Sequence, residues 1–148
     1  MKSFTASQAA IKEMIIEGNS IYVAGCDPII RDFNIIDGDR GEFLGHSGWV
    51  YCLVIHRGKL YSGGDDQIVR IWNLETRNQV ETLISHKNGI TALVLCNDML
   101  VSCGYDKSVI TWDIDAAEMR IIEKELMFQE DLNSHAERRK NKLDEDER

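Results

Sequence analysis

The feature of this sequence that most restricts its fold is a segment that recurs about every 40 residues. Residues 61–74 (YSGGDDQIVRIWNL) align with residues 101–114 (VSCGYDKSVITWDI) at an offset of 40. A third copy lies upstream at an offset of 39 and shares six identical residues with the middle one: Tyr22, Gly25, Asp27, Ile29, Arg31 and Asn34. Three copies in one register indicate a tandem array, in which each unit buries apolar surface against the next.

Each copy has the pattern of short strands separated by turns. The middle copy predicts four strands, at Val50–His56, Leu60–Gly64, Gln67–Asn73 and Gln79–Ile84. Turn-forming residues separate them, among them Arg57-Gly58-Lys59 and Asp65-Asp66. Four antiparallel strands in about 40 residues are typical of one blade of a β-propeller. We therefore predict an all-β fold made of three four-stranded antiparallel blades.

The spacing of His, Trp and Asp in two of the copies is similar to that of a known family. The intervals Gly45-His46 to Trp72-Asn73 and His86 to Trp112-Asp113 resemble the WD-repeat (WD40) β-propellers, over about 120 of the 148 residues. The resemblance divides the chain into a remnant outer strand of a preceding blade at 1–6, a degenerate WD repeat at 7–45, WD repeats at 46–85 and 86–125, and a charged tail at 126–148.

The resemblance also implies a buried hydrogen-bond chain that ties the strands of each blade together. In the family this chain runs through Trp, Ser, His and Asp. The matching positions are His46, Ser62, Asp66 and Trp72 in the second repeat, and His86, Ser102, Asp106 and Trp112 in the third. A complete chain satisfies every buried polar atom in it. The first repeat keeps Asp27 but has Ser7, Val23 and Phe33 at the other positions, so apolar packing is expected there.

The same residue types form hydrolase active sites, but their pattern here argues against catalysis. A Ser-His-Asp triad occurs once per active site, whereas this set recurs at the period of a blade. The chain contains no Gly-x-Ser-x-Gly sequence, no glycine-rich phosphate loop and no cysteine or histidine spacing typical of a metal site. We therefore predict no catalytic residues, no cofactor, no metal and four free thiols, at Cys26, Cys52, Cys96 and Cys103.

Three blades are too few to close a propeller, because the rings of this fold have four to eight. Both end faces would then expose apolar surface. We expect either a piece of a longer propeller or a ring completed by self-association. The first is favoured because Phe4 aligns with Phe43, in a predicted outer strand. The number of blades thus predicts an incomplete ring. After Ile122 the residues become charged helix formers, which predicts a charged, partly helical C-terminal tail.

The resemblance implies a protein–protein interaction scaffold or substrate-recognition module, since WD-repeat propellers bind peptides or proteins on one face. The family's contact positions on that face correspond to Trp49, Tyr51, Asp65 and Tyr105. Trp and Tyr are enriched in binding hot spots, although packing between blades is an alternative role for Trp49. A second possible function is a non-catalytic appendage of an enzyme, a kinase or ubiquitin ligase, whose catalytic domain lies outside this chain.

The charge balance narrows the class of partner. With 17 basic and 25 acidic residues the net charge is −8, which opposes binding to nucleic-acid phosphates. The sequence has neither a signal peptide nor an apolar segment of membrane-spanning length. We therefore expect protein or peptide partners, no nucleic acid, no membrane and an intracellular, cytoplasmic location. The basic run at 138–142 leaves a nuclear location open.

Overall fold

The computed structural model describes residues 3–146, with side chains described as far as residue 139. These residues form eleven strands and one helix: β1 (Ile11–Glu17), β2 (Ser20–Gly25), β3 (Asp27–Asn34), β4 (Arg40–Phe43), β5 (Val50–His56), β6 (Lys59–Gly64), β7 (Ile68–Asn73), β8 (Gln79–Ile84), β9 (Ile90–Cys96), β10 (Met99–Gly104), β11 (Val109–Asp113) and α1 (Ile114–Asp146). The strands form one compact unit and the helix forms a second. Within the described part of the chain, no helix combines the length and apolar character needed to cross a bilayer.

The strands form three antiparallel sheets in chain order, which we call the first, second and third blades. The first contains β1 to β4, the second β5 to β8 and the third β9 to β11, each strand paired with its neighbour in sequence. Strand β1 contacts β5, and β5 contacts β9, so the first strands of successive blades lie side by side. The predicted β-propeller blade architecture is confirmed.

Tight two-residue turns set the register of the inner hairpins. In the hairpin from β5 to β6, His56 pairs with Lys59, and Arg57 and Gly58 have φ values of 48° and 71°. The hairpin from β9 to β10 turns at Asn97-Asp98, where φ is 47° and 60°. Positive φ at both central positions is the type I′ geometry that matches the twist of paired strands. This is why the turn residues predicted from the sequence lie at the hairpin ends.

Neighbouring blades are joined by apolar packing. One buried cluster lies between the first and second blades and consists of Tyr22, Ala24, Ile30, Phe43, Val50, Leu53, Leu60 and Trp72. At its outer end the Phe43 ring, on β4, meets the Trp72 ring edge-on, with ring centroids 5.9 Å apart. Both side chains are fully buried. The outer strand of one blade thus packs against the third strand of the next.

An ion pair that the sequence analysis did not anticipate also joins these two blades. The Arg77 guanidinium, in the turn after β7, lies 2.8 Å from each carboxylate oxygen of the buried Asp32, on β3, and 3.0 Å from Asp39. The guanidinium crosses the sheet over Gly41, where a Cβ atom would overlap it. A glycine in β4 therefore makes room for a two-pronged contact between blades.

Two predicted strands are absent from the described residues. The fourth strand of the third repeat (86–125) was wrong: β11 is the outer strand of that sheet, and α1 begins directly after it, at Ile114. Residues 114–125 contain good helix formers, and an acidic residue, Asp115, lies in the first turn of the helix. The helix therefore begins well before the predicted tail at 126–148.

The second of these is the remnant outer strand of a preceding blade, predicted at 1–6. Residues 3–6 have no regular secondary structure, and residues 1–2 lie outside the described part. A strand requires a neighbour for its backbone hydrogen bonds, and no strand pairs with this segment in the described structure. Phe4 nevertheless packs against Phe33 with ring centroids 5.1 Å apart, which repeats the contact between Phe43 and Trp72 one blade earlier.

The predicted polar chain of the second blade is continuous in the structure. The Trp72 indole N–H donates to Ser62 Oγ over 2.8 Å, Ser62 Oγ lies 2.6 Å from His46 Nε2, and His46 Nδ1 lies 2.8 Å from Asp66 Oδ2. His46 Nδ1 donates to Asp66 and Nε2 pairs with the Ser62 hydroxyl, so every member of the chain has a partner. The chain connects β7, β6, the loop before β5 and the β6–β7 turn.

The third blade repeats this geometry, and the first blade retains only part of it. Trp112, Ser102, His86 and Asp106 are joined by contacts of 2.8, 2.7 and 2.8 Å. In the first blade the predicted apolar contact is present at Phe33, but polar contacts also remain. Asp27 lies 2.8 Å from the Arg31 guanidinium and accepts from the Ser7 hydroxyl over 3.4 Å. The first blade therefore keeps the arginine contact that Arg70 makes with Asp66 in the second blade, and it lacks the histidine.

Replacing Ser62 by alanine should destabilise the fold. The substitution leaves the buried Trp72 N–H and His46 Nε2 without their partner, and an unpaired buried polar group costs about 1–3 kcal/mol. We expect a matching fall in the free energy of unfolding, measured by denaturant titration followed by circular dichroism. Ser47→Ala is the matched control, since Ser47 is exposed and contacts Asp66 only through its backbone N–H. Equal stability of the two variants would contradict a buried polar chain.

The polar chain should also make stability depend on pH in the acid range. Burial would raise the pKa of Asp66, but the hydrogen bond and charge of His46, with Ser47 N–H and Arg70, lower it from 3.8 to about 2. A carboxylate whose pKa is lower in the folded state stabilises the fold above pH 3.8 and loses that contribution as the pH falls toward about 2. The contribution is about 2 kcal/mol, because one pKa unit corresponds to about 1.4 kcal/mol.

The measurement compares the wild type with Asp66→Asn in denaturant titrations at a series of pH values. Asp66→Asn should be less stable at neutral pH, and the difference between the two proteins should shrink between about pH 4 and pH 2, where the wild-type carboxylate becomes protonated. A stability difference that is constant over this range would show that the ionised form of Asp66 is not favoured by folding.

Candidate functional site

The four residues predicted to contact a partner lie together in the structure, and we call this group the aromatic patch: Trp49, Tyr51, Asp65 and Tyr105. Trp49 directly precedes β5, and Tyr51 lies on it. Asp65 and Tyr105 occupy equivalent turns, after β6 in the second blade and after β10 in the third. The patch therefore spans the boundary between two blades.

A backbone hydrogen bond that recurs in every blade positions these side chains. Asp65 N–H donates to the Trp49 carbonyl over 2.9 Å, and Tyr105 N–H donates to the Gly89 carbonyl over 2.9 Å. In the first blade Cys26 N–H donates to the Ala10 carbonyl over 2.8 Å. The bond fixes the residue before the first strand beside the turn between the second and third strands. The frame is thus the same in each blade, and only the side chains on it differ.

The aromatic rings of the patch form a continuous series of edge-to-face contacts. The Trp49 and Tyr51 rings have centroids 6.4 Å apart at an interplanar angle of 88°. The Tyr51 and Tyr105 rings are 6.4 Å apart at 89°, across the blade boundary. Perpendicular packing at this separation is a favoured aromatic geometry, worth about 0.5–1.5 kcal/mol per pair beyond burial. These contacts hold the rings in place before any partner binds.

Asp65 gives the patch a carboxylate that is tied to its central ring. The Tyr51 hydroxyl donates a hydrogen bond to Asp65, and this bond, with partial burial and the negative charge of Asp65, raises the pKa of Tyr51 to about 12. Tyr51 is therefore a neutral donor at physiological pH. Asp65 itself is exposed to solvent, so the patch combines apolar ring surface with one anionic hydrogen-bond acceptor.

Two glycines leave space for the side chains of the aromatic patch, and the sequence analysis did not assign this role to either of them. A Cβ atom on Gly48 would lie 2.8 Å from the Asp65 Cβ. A Cβ atom on Gly89 would lie 3.3 Å from both Asp65 Oδ1 and the Tyr105 ring. The bare backbone at Gly89 therefore lets Asp65 of the second blade approach Tyr105 of the third. The sequence signal for this contact was the alignment of Gly89 with Trp49, which gives the third blade a residue without a side chain where the second blade has a tryptophan.

Solvent exposure distinguishes the two roles considered for Trp49. Trp49 is 47% exposed and Tyr105 is 60% exposed, whereas Trp72, which packs between blades, is fully buried. Packing between blades would require a buried indole at position 49, so that alternative is not the arrangement found. The patch ends at the first blade, where the equivalent positions hold the smaller or flexible side chains of Ala10, Lys12 and Cys26.

The serine and histidine residues that resemble part of a hydrolase triad lie in the interior. The His46 side chain is fully buried, and Ser62 is too, so neither atom of a would-be Ser-His pair faces solvent. Among the residues that the structure describes, no three of His, Cys, Asp and Glu are placed to hold a metal ion.

Two of the cysteines differ in exposure. Cys52 is buried, and burial raises the pKa of its thiol to about 12. Cys96 is exposed, although the apolar residues around it in the sequence are typical of a buried strand.

The sequence is similar to known WD-repeat proteins. The family described as "WD domain, G-beta repeat" (WD40) matches residues 39–73 and 77–113. Transducin beta-like protein 3 from Rattus norvegicus is 29% identical over 119 residues, which cover 74% of this chain and 15% of that protein. Ribosome biogenesis protein YTM1 from Kluyveromyces lactis is 25% identical over 127 residues, covering 76% of this chain and 29% of that protein. The chain thus spans less than a third of the length of these relatives.

Solved structures share the same fold. The structures of U3-55K and of the RRP9 WD40 repeats each superimpose with a TM-score of 0.68 at 22% sequence identity. Each match covers 76% of this chain and 38% of the other. The recurring blades, the repeated Trp-Ser-His-Asp chains and these similarities agree, and the chain belongs to the WD-repeat (WD40) family of β-propeller proteins.

Proposed function

We propose that this chain is a protein-interaction module that binds a peptide segment of a partner protein on the aromatic patch. The observation that supports the proposal most directly is the series of exposed rings that crosses from the second blade to the third. Trp49 and Tyr105 are both about half exposed while their rings are held by edge-to-face contacts. Rigid aromatic side chains that keep accessible surface are the residue types that dominate binding energy at protein interfaces.

The chemistry of the patch favours a particular kind of segment. Asp65 supplies a carboxylate that accepts a hydrogen bond from Tyr51, whose ring contacts the ring of Tyr105. A lysine or arginine side chain can pair with a carboxylate and place its charge over aromatic rings, and the two effects add at one position. The net charge of −8 also attracts basic segments over longer distances. We therefore infer a partner segment that presents a basic side chain flanked by apolar residues.

A non-catalytic role is part of the same proposal. The Ser, His and Asp residues that resemble a triad are engaged in the buried polar chains, where the Ser62 oxygen accepts from Trp72 and contacts His46. Neither transducin beta-like protein 3 nor YTM1 is named as a kinase or a ubiquitin ligase, so nothing favours the alternative of an appendage to a catalytic protein. The name of YTM1 assigns that protein to ribosome biogenesis, which is consistent with a scaffold in an intracellular assembly.

Truncating the patch should weaken peptide binding without unfolding the blades. We expect peptides selected by the wild-type chain from a random-sequence library to be enriched in basic residues next to apolar ones. For such a peptide, Trp49→Ala and Tyr105→Ala should each raise the dissociation constant at least about tenfold, which corresponds to about 1.4 kcal/mol. Asp65→Asn should weaken binding selectively for peptides that contain the basic residue. Isothermal titration calorimetry provides the measurement.

Ile84→Ala is the matched control, since Ile84 is a large apolar side chain, 70% exposed, that lies on β8 outside the patch. It should bind the peptide as the wild type does. Circular dichroism and thermal melts establish that the patch variants stay folded. Wild-type affinity in the Trp49→Ala, Tyr105→Ala double variant would exclude this surface as the binding site, and selection of acidic peptides would overturn the inferred chemistry.

A further inference from the structure

We propose that the aromatic patch selects a lysine whose amino group is dimethylated, so that methylation of the partner segment increases binding. This inference rests on the proposed function, because it specifies the basic side chain that the patch binds. Three features support it: a gap between two blades at Gly89, the ring faces that border this gap, and the position of the Asp65 carboxylate.

A side chain is missing where Asp65 of the second blade approaches Tyr105 of the third, and we call this space the Gly89 notch. A Cβ atom on Gly89 would lie 3.3 Å from Asp65 Oδ1 and 3.3 Å from the Tyr105 ring. The backbone there is fixed, since the Gly89 N–H donates to Asn88 Oδ1 over 2.7 Å and its carbonyl accepts from Tyr105 N–H over 2.9 Å. A group at the notch would therefore contact a carboxylate oxygen and an aromatic ring together.

The rings of the patch keep faces available to a cation. Tyr51 stands perpendicular to Trp49 and to Tyr105, at interplanar angles of 88° and 89°. In a perpendicular pair one ring meets the other by its edge, so its own faces stay free of that contact. A ring face carries the negative part of the quadrupole and attracts a cation within about 6 Å of its centre. The patch therefore suits a positive group that also carries apolar substituents.

Hydration distinguishes a methylated lysine from an unmodified one. The unmodified ammonium is a compact, strongly hydrated charge, and placing it against rings removes water that the rings replace poorly. Methyl groups cover the nitrogen with apolar surface, which lowers this cost and puts carbon atoms in contact with the rings. Methylation leaves the charge in place, so the attraction to ring faces and to Asp65 is retained. The affinity of the patch should therefore rise with methylation.

Asp65 favours a lysine that keeps one N–H. Its carboxylate accepts a hydrogen bond from the Tyr51 hydroxyl, and its Oδ1 borders the Gly89 notch. A dimethylated lysine has one N–H to donate to this carboxylate, whereas a trimethylated lysine has none. The two parallel donors of an arginine need more acceptor positions than a carboxylate already bonded to Tyr51 leaves free. The geometry thus favours dimethyl-lysine over both alternatives.

Nuclear magnetic resonance of the indole N–H groups locates a small probe, the Nα-acetyl methylamide of dimethyl-lysine. The chain has three tryptophans, and Trp72 and Trp112 donate their indole N–H to Ser62 and Ser102 in the polar chains. Trp49 is about half exposed and lies in the patch. We expect the probe to shift the Trp49 signal and to leave the other two in place. A Trp49 signal that does not move, or that moves equally with the unmethylated probe at equal concentrations, would overturn the inference.

Isothermal titration calorimetry with a basic peptide selected by the wild-type chain measures the preference. Its lysine is left unmodified, dimethylated, trimethylated, or replaced by a neutral analogue that ends in a tert-butyl group. We expect the dimethylated peptide to have a dissociation constant at least about tenfold below that of the unmodified one. The trimethylated peptide lacks the N–H and the neutral one lacks the charge, so both should bind more weakly than the dimethylated peptide.

Two variants test whether the preference arises at the notch. Gly89→Ala places a methyl group in it, and Tyr105→Leu removes the ring while keeping an apolar side chain. Each should reduce the preference for the dimethylated peptide at least about threefold. Tyr105→Phe is the matched control, because it keeps the ring and should keep the preference. Circular dichroism establishes that all three variants are folded.

The outcomes separate this inference from the proposed function. If Trp49→Ala and Tyr105→Ala weaken every peptide while methylation changes nothing, the patch binds peptides without distinguishing methylation, and this inference alone is overturned. If these variants bind every peptide as the wild type does, the proposed function fails as well. Tighter binding of the neutral or the trimethylated peptide than of the dimethylated one, or an unchanged preference in both Gly89→Ala and Tyr105→Leu, would also overturn the inference.

Discussion

The hydrogen-bond chain from tryptophan to aspartate is the interaction on which the geometry of the aromatic patch depends. It links four separate segments of a blade, and two of them carry patch residues. His46 lies in the loop that leads to Trp49, and Asp66 is the neighbour of Asp65 in the β6–β7 turn. When His46 and Asp66 are joined over 2.8 Å, the loop and the turn are held side by side. A polar network in the interior thus determines where the exposed side chains lie.

The network differs among the three blades, and the surface differs with it. In the third blade the network is reinforced: Ser108 contacts both His86 and Asp106, and the Lys87 N–H, with Ser108, holds the pKa of Asp106 well below its usual range. In the first blade no histidine is present, and Asp27 is held by Arg31. The aromatic patch occurs on the two blades that have the complete network and ends at the blade that does not. A rigid frame is what allows half-exposed aromatic rings to keep their positions.

Much of this fold was predictable because the repeat carries local and long-range information together. The type I′ turn at Arg57-Gly58 and the strand period fix each hairpin, and the 40-residue offset identifies equivalent residues such as Trp72 and Trp112. What could not be predicted lies where the chain departs from the repeat. The helix begins at Ile114, within the part of the sequence where an outer strand was expected, because helix formers replace the turn residues there. The pairing of Arg77 with Asp32, 45 residues apart, has no counterpart in the other blades and leaves no periodic signal.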